Sequence, residues 1–125
     1  MVYSLDVTNN LVDAEGLAAF VNVFHDPFEV EAALKEHAPL PVSLRILILD
    51  FNFLGTRGAD VLAEALKNSR VLKVLSLQRT RLVGKSMLKL ADSLGKNKVL
   101  KVLNLGLNPL GDVGVAYLAE ALKQN

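Results

Sequence analysis

The chain has 125 residues, 51% of them hydrophobic and 22% charged, with a formal net charge of +1; that length supports one modest core rather than two. It contains no cysteine, which excludes a disulfide framework, a thiolate metal site and a cysteine nucleophile and points to an intracellular, cytoplasmic location. Met1-Val2-Tyr3-Ser4 places no basic stretch before an apolar run, and no apolar segment approaches the roughly 18 residues of a membrane span, so neither a secretory leader nor a span is expected.

Residues 2–25 carry a faint copy of a pattern that becomes clear after residue 44. Val2, Leu5 and Val7 alternate as a short strand, Asn10 and Val12 follow in a turn, and Gly16, Phe20, Val21 and Phe24 fit a helix. Residues 26–43 read as a helical insertion. Asp26-Pro27 is a helix start, since aspartate accepts from orphan amides and proline is tolerated at the first helical position. Val30, Ala33, Leu34 and His37 share one face, Glu31 and Lys35 are spaced to pair, and Pro39 and Pro41 end the helix. His37 is expected at the helix end rather than as a ligand.

From Leu44 the sequence repeats every 28 residues, restarting at Leu72 and Leu100. Each unit holds leucine at its third step (Leu47, Leu75, Leu103) and fifth step (Leu49, Leu77, Leu105), which places them on one side of a strand. Asn52, Thr80 and Asn108 follow, then Leu54, Leu82 and Leu110. An asparagine there can both donate to and accept from backbone groups that a turn would leave unpaired. Gly58, Ser86 and Gly114 precede the helical pattern of Leu62, Ala63 and Leu66, repeated as Leu90, Ala91 and Leu94 and as Leu118, Ala119 and Leu122. One strand and one helix cannot bury these leucines alone, so the units must stack.

The pattern L-x-x-L-x-L-x-x-N-x-L-x-x-x-G-x-x-x-L-A-x-x-L resembles the leucine-rich repeat of the ribonuclease-inhibitor type over residues 44–125. The resemblance implies an α/β fold: a solenoid with a curved parallel sheet on its concave side and helices on its convex side. About four repeats, near residues 2–25, 44–71, 72–99 and 100–125, would form a single domain over 1–125. The middle unit departs from the pattern at Thr80 and Ser86, which puts the turn around Thr80 in doubt. Proteins built on this repeat type include inhibitors, innate-immune sensors, actin-capping domains and activators of a nuclear-transport GTPase. A protein-protein interaction module is therefore expected, with an accessory structural subunit or a regulatory protein as alternatives.

Charge is unevenly distributed. Residues 67–101 hold ten lysines and arginines against Asp92 alone, whereas residues 1–66 hold three basic and ten acidic groups. The basic segment reads either as a solvated face or as a dock for an acidic protein surface. No aromatic lies within it, which argues against a nucleic-acid stacking platform. The first strand is entered by Val2 and the last helix runs to Asn125, so polar capping units are missing from the sequence and apolar ends are expected to be covered by a neighbour.

Strand residues that point away from the leucines form columns: Ser4, Ile46, Val74 and Val102; Asp6, Ile48, Ser76 and Asn104; Thr8, Asp50, Gln78 and Gly106. At the exit edge come Phe51, Arg79 and Leu107, then Phe53, Arg81 and Pro109. Ile46, Ile48, Asp50, Phe51, Phe53, Arg79, Arg81 and Leu107 are the candidate partner-binding residues, because aromatic and arginine side chains carry much binding energy and an aliphatic open face invites cover. Catalysis finds no foothold. His25 and His37 have no metal-ligand setting, and Gly84-Lys85-Ser86 lacks the first glycine of a phosphate loop. No enzyme activity, cofactor, metal or small-molecule substrate is expected.

Overall fold

The structure, a computed structural model, describes residues 4–18 and 44–125. Four short strands, β1 (Ser4–Asp6), β2 (Ile46–Ile48), β3 (Val74–Ser76) and β4 (Val102–Asn104), form a parallel sheet in sequence order. Parallel neighbours need crossover connections, and helices supply them. They are α1 (Ala14–Ala18), α2 (Gly55–Asn68), α3 (Met87–Lys96) and α4 (Gly111–Gln124), packed side by side in that order. The fold is α/β. No helix among the described residues is long and apolar enough to cross a membrane. The expected insertion at 26–43, with His37, lies outside the described residues, as do Phe20, Val21, Phe24 and His25.

The register agrees with the sequence columns. Ser4, Ile46, Val74 and Val102 are aligned, as are Leu5, Leu47, Leu75 and Leu103, including the longer step between β1 and β2. Ladder bonds continue past the strands: Val7, Leu49 and Leu77 donate to Ile48 O, Ser76 O and Asn104 O at 2.8–3.0 Å. Asn9, Phe51 and Arg79 then donate to Asp50 O, Gln78 O and Gly106 O. Leu47, Leu49, Leu75 and Leu77 are fully buried against the helix leucines Leu62, Leu66 and Leu90. Leu5, Leu103 and Leu105, in the outer units, are only partly buried.

The glycine that opens the helix is fixed by a close approach in two units. A Cβ on Gly58 would lie 2.5 Å from Leu54 Cβ, and one on Gly114 would lie 2.9 Å from Leu110 Cβ. At Gly16 the nearest atom would be 3.5 Å away, an ordinary contact, so that glycine does not mark a close approach. Here Asp13 Oδ1 instead accepts from Gly16 N at 2.8 Å and caps α1.

The middle unit diverges, but not where Thr80 implied. Arg79 and Arg81 keep positive φ (48° and 63°), so the turn around Thr80 follows the other units. The change comes later. Helices α2 and α4 begin at Gly55 and Gly111 in left-handed conformation (φ 59° and 62°), whereas Val83 at the same step is extended with φ −119°. A 3-10 turn, Gly84–Ser86, takes the place of the first helical turn, and α3 starts only at Met87. Ser86 Oγ accepts from Val83 N at 3.0 Å and meets Thr56 Oγ1 at 2.9 Å, which pairs the buried hydroxyl.

Candidate functional site

The exit edge of the sheet is held in shape by two buried or half-buried asparagines. Asn52 donates through Nδ2 to Leu49 O (2.8 Å), Val7 O (3.0 Å) and Asp50 O (3.2 Å), and its Oδ1 accepts from Asn10 N and Val12 N. Asn108 repeats the arrangement: it donates to Leu105 O, Leu77 O and Gly106 O and accepts from Thr80 N and Leu82 N. Each amide thus ties its own turn to that of the preceding unit. The hydroxyl of Thr80, one period from each, donates to Leu77 O at 2.8 Å.

Directly before the ladder step the backbone is left-handed in every unit, at Asn9, Phe51, Arg79 and Leu107 (φ 48–59°). A non-glycine residue there is strained by about 1–2 kcal/mol. The turn imposes the conformation, and the side chains it carries serve the core little: Phe51 is 40% exposed and Leu107 70% exposed. Phe53 lies nearby, 46% exposed, with its amide donating to Val12 O.

The four residues at this edge come together as two stacked pairs. The Arg79 guanidinium lies 5.7 Å from the Phe51 ring centroid, and that of Arg81 lies 4.1 Å from the Phe53 centroid. Such pairs contribute roughly 0.5–1 kcal/mol at exposed sites and hold the planar donors in place. No carboxylate engages Arg79 or Arg81 among the described residues. Leu107 stands at the same step in the following unit.

The remaining candidates lie on the open face of the sheet. Ile46, Ile48 and Val74 are half-buried, and Val102 is 52% exposed. Asp50 is not a free carboxylate: its Oδ1 accepts from Ser76 Oγ at 2.7 Å and Gln78 N at 2.8 Å, so it braces β2 against β3. On β1, Asp6 Oδ1 accepts from both the hydroxyl and the amide of Thr8, bonds that hold its carboxyl below the usual aspartate range. On the open face Ile46, Ile48, Val74 and Val102 are aliphatic, Ser76 and Asn104 at the next step of β3 and β4 are polar, and β1 is polar throughout.

Two features escaped the sequence reading. Ser69, Asn97 and Asn125, one period apart, form a second polar ladder at the helix ends. Asn97 donates to Leu66 O (2.8 Å) and accepts from Val99 N and Leu100 N, and Asn125 donates to Leu94 O and Asn97 O, both at 2.7 Å. The period itself was the available signal, but the step falls between the leucine landmarks. The other is how the cations divide. On the helix side Lys67, Lys89 and Lys96 meet Glu64, Asp60 and Asp92, and Lys98 donates to Gln124 O and Asn125 O. By contrast Lys73, Arg79, Arg81 and Lys101, at the two edges of the sheet, have no acidic partner among the described residues.

With this geometry in place, comparison with known proteins adds one match. Residues 96–119, which run from the end of α3 through β4 into α4, match the model of the leucine-rich repeat. No curated protein matches the chain. The matched segment is a leucine-rich repeat, and the same leucine spacing recurs at 44–71 and 72–99.

Proposed function

We propose that this protein is a non-catalytic protein-protein interaction module, a single domain of about four ribonuclease-inhibitor-type leucine-rich units whose sheet forms the concave side of a short solenoid. The observation that supports this reading most is the exit edge. Phe51 and Phe53 expose their rings under the guanidinium groups of Arg79 and Arg81, which meet no carboxylate among the described residues, and Phe51, Arg79 and Arg81 stand on left-handed backbone positions where large side chains add strain. Anchored aromatics and arginines are the side chains that carry most of the energy in protein interfaces. The unpaired cations fit a partner that offers an acidic surface.

The test is affinity capture from the native source, comparing the wild-type chain with Phe51→Ala and Arg79→Glu. A partner retained by the wild type should fall at least tenfold with either substitution, while thermal unfolding stays within a few degrees. A partner captured equally by all three would exclude this edge as the binding surface.

A second reading, an accessory subunit of a larger assembly, draws on a different surface. Among the described residues β4 and α4 leave a groove of about 300 Å³ lined by Leu100, Leu103, Leu105, Leu118 and Leu122, with Leu122 65% exposed. In that case Leu122→Asp should abolish assembly, and Phe51→Ala should leave it intact.

A further inference from the structure

The open face of the sheet is bordered by cations on both sides, and the two borders have a definite spacing. At the entry edge Arg45, Lys73 and Lys101 occupy one step in three successive units. Lys73 N and Val74 N both donate to Arg45 O, and Lys101 N and Val102 N both donate to Lys73 O, so these residues are stacked by the ladder. Adjacent strands lie about 4.8 Å apart, so Lys73 and Lys101, which meet no acid among the described residues, stand side by side as the cations this edge offers. At the exit edge stand Arg79 and Arg81. Six residues separate Lys73 from Arg79, at most about 20 Å, since only Val74–Ser76 is strand and the chain turns at Arg79. Between the borders the floor is aliphatic toward the entry edge, at Ile46, Ile48, Val74 and Val102, and polar beyond it, at Ser76, Asn104, Asp50 and Gln78.

From these dimensions we infer that the partner segment is an amphipathic α-helix with acidic residues along both flanks, laid across β2–β4 at right angles to the strands. This rests on the protein-binding reading above and names the chemistry of its partner. An α-helix with side chains is about 10–12 Å across, so glutamates on either flank span the remaining distance to cations no more than about 20 Å apart. Its apolar stripe would cover the aliphatic floor, and the three strands accommodate about two helical turns at 5.4 Å each. An extended peptide laid in the same direction, across the strands, is too narrow to meet both borders.

Asp50 sharpens the selection. Its carboxylate lies inside the borders, bonded to Ser76 and Gln78, so an acid on the central stripe of the partner is repelled while acids on its flanks are attracted. Ser4 and Asp6 on β1, and Thr8 in the turn after it, likewise keep the footprint on β2–β4. Nucleic acid would meet an aliphatic floor with no base-stacking ring at its centre.

The experiment uses fluorescence anisotropy with a synthetic 18-residue peptide carrying leucines on one helical face and glutamates on both flanks. The comparison ligands are a peptide of the same composition in shuffled order and a single-stranded oligonucleotide of equal charge. The patterned peptide should bind the wild-type chain at least tenfold more tightly than either. Lys101→Glu, and separately Lys73→Gln with Lys101→Gln, should each weaken it about tenfold, with unfolding midpoints confirming that the variants fold. Equal binding of the shuffled peptide, preference for the oligonucleotide, or indifference to both lysine variants would overturn the inference. Failure of the peptide alongside a native partner that is lost with Phe51→Ala would overturn the helix and leave protein binding at the exit edge standing.

Discussion

Asn52 and Asn108 show how single residues set the geometry of this fold. Each uses three acceptors and two donors of the backbone, and those five bonds join two turns that are otherwise held only by the sheet ladder. A buried backbone group left unpaired costs about 1–3 kcal/mol, so Asn52→Ala should lower stability by about 3 kcal/mol in urea unfolding. Thr80 poses the converse case. The asparagine ladder would place an acceptor there for Asn52 N and Leu54 N, amides to which the Thr80 hydroxyl makes no bond. Threonine and asparagine have similar volumes, and Thr80→Asn should therefore raise stability by roughly 1–2 kcal/mol; an unchanged or lower urea midpoint would show that those amides are already satisfied. The need for an amide at this step was legible in the sequence. The second ladder was not, because Ser69, Asn97 and Asn125 differ in type and stand among loop residues with no leucine beside them.

At the scale of the element, periodicity located strands and helices, and small backbone details decided where helices begin. The leucine alternation gave the register of all four strands, even across the longer first interval. Glycine at the helix start had two different meanings that the spacing alone could not separate. At Gly58 a methyl group would meet Leu54 Cβ at 2.5 Å, whereas at Gly16 it would meet nothing closer than 3.5 Å. Gly58→Ala should destabilise the chain by about 1–3 kcal/mol through overpacking. Gly16→Ala, in the short helix α1, should be neutral or stabilising by up to about 1 kcal/mol through helix propensity. Thermal unfolding of the two variants side by side checks the contrast, which disappears if the glycines are equivalent. The middle unit shows why sequence departures mislead about place. Thr80 and Ser86 were the visible departures, yet the altered geometry spans 83–86, because Val83 replaces the left-handed glycine of the neighbouring units and Ser86 fills the space left by the delayed helix.

For the whole molecule, the useful quantity is how charge is distributed between its two sides. The net +1 conceals a basic central segment, and the structure divides that segment further. Lys67, Lys89, Lys96 and Lys98 on the helix side meet acids or carbonyls, while Lys73 and Lys101 at the entry edge of the sheet have no acidic partner among the described residues. Exposed ion pairs contribute at most about 1 kcal/mol each, so the helix-side pairs matter little for stability. Lys73, Lys101, Arg79 and Arg81, which meet no acid among the described residues, matter for association, and partner binding should weaken steeply with added salt as these cations are screened. The candidate residues were half legible. Phe51, Phe53, Arg79 and Arg81 fell at one edge by counting, but their pairing as Phe51 with Arg79 and Phe53 with Arg81 depends on the left-handed turn. Asp50 reads in the sequence as an available carboxylate and is bonded to Ser76 and Gln78, and Lys73 and Lys101 are marked in the sequence only as members of the basic segment, since nothing in their spacing separates them from the lysines of the helix side.

The central claim is that a protein partner covers the open face and exit edge of the sheet rather than the helices. Hydroxyl-radical footprinting of the captured complex reads it directly, since side-chain oxidation reports local exposure. The account predicts strong protection of Phe51, Phe53, Ile46 and Leu107, with Leu88 on α3 and Val113 on α4 oxidised as in the free chain. Protection confined to Leu88, Val113 and Leu122, with Phe51 and Phe53 unchanged, would contradict it.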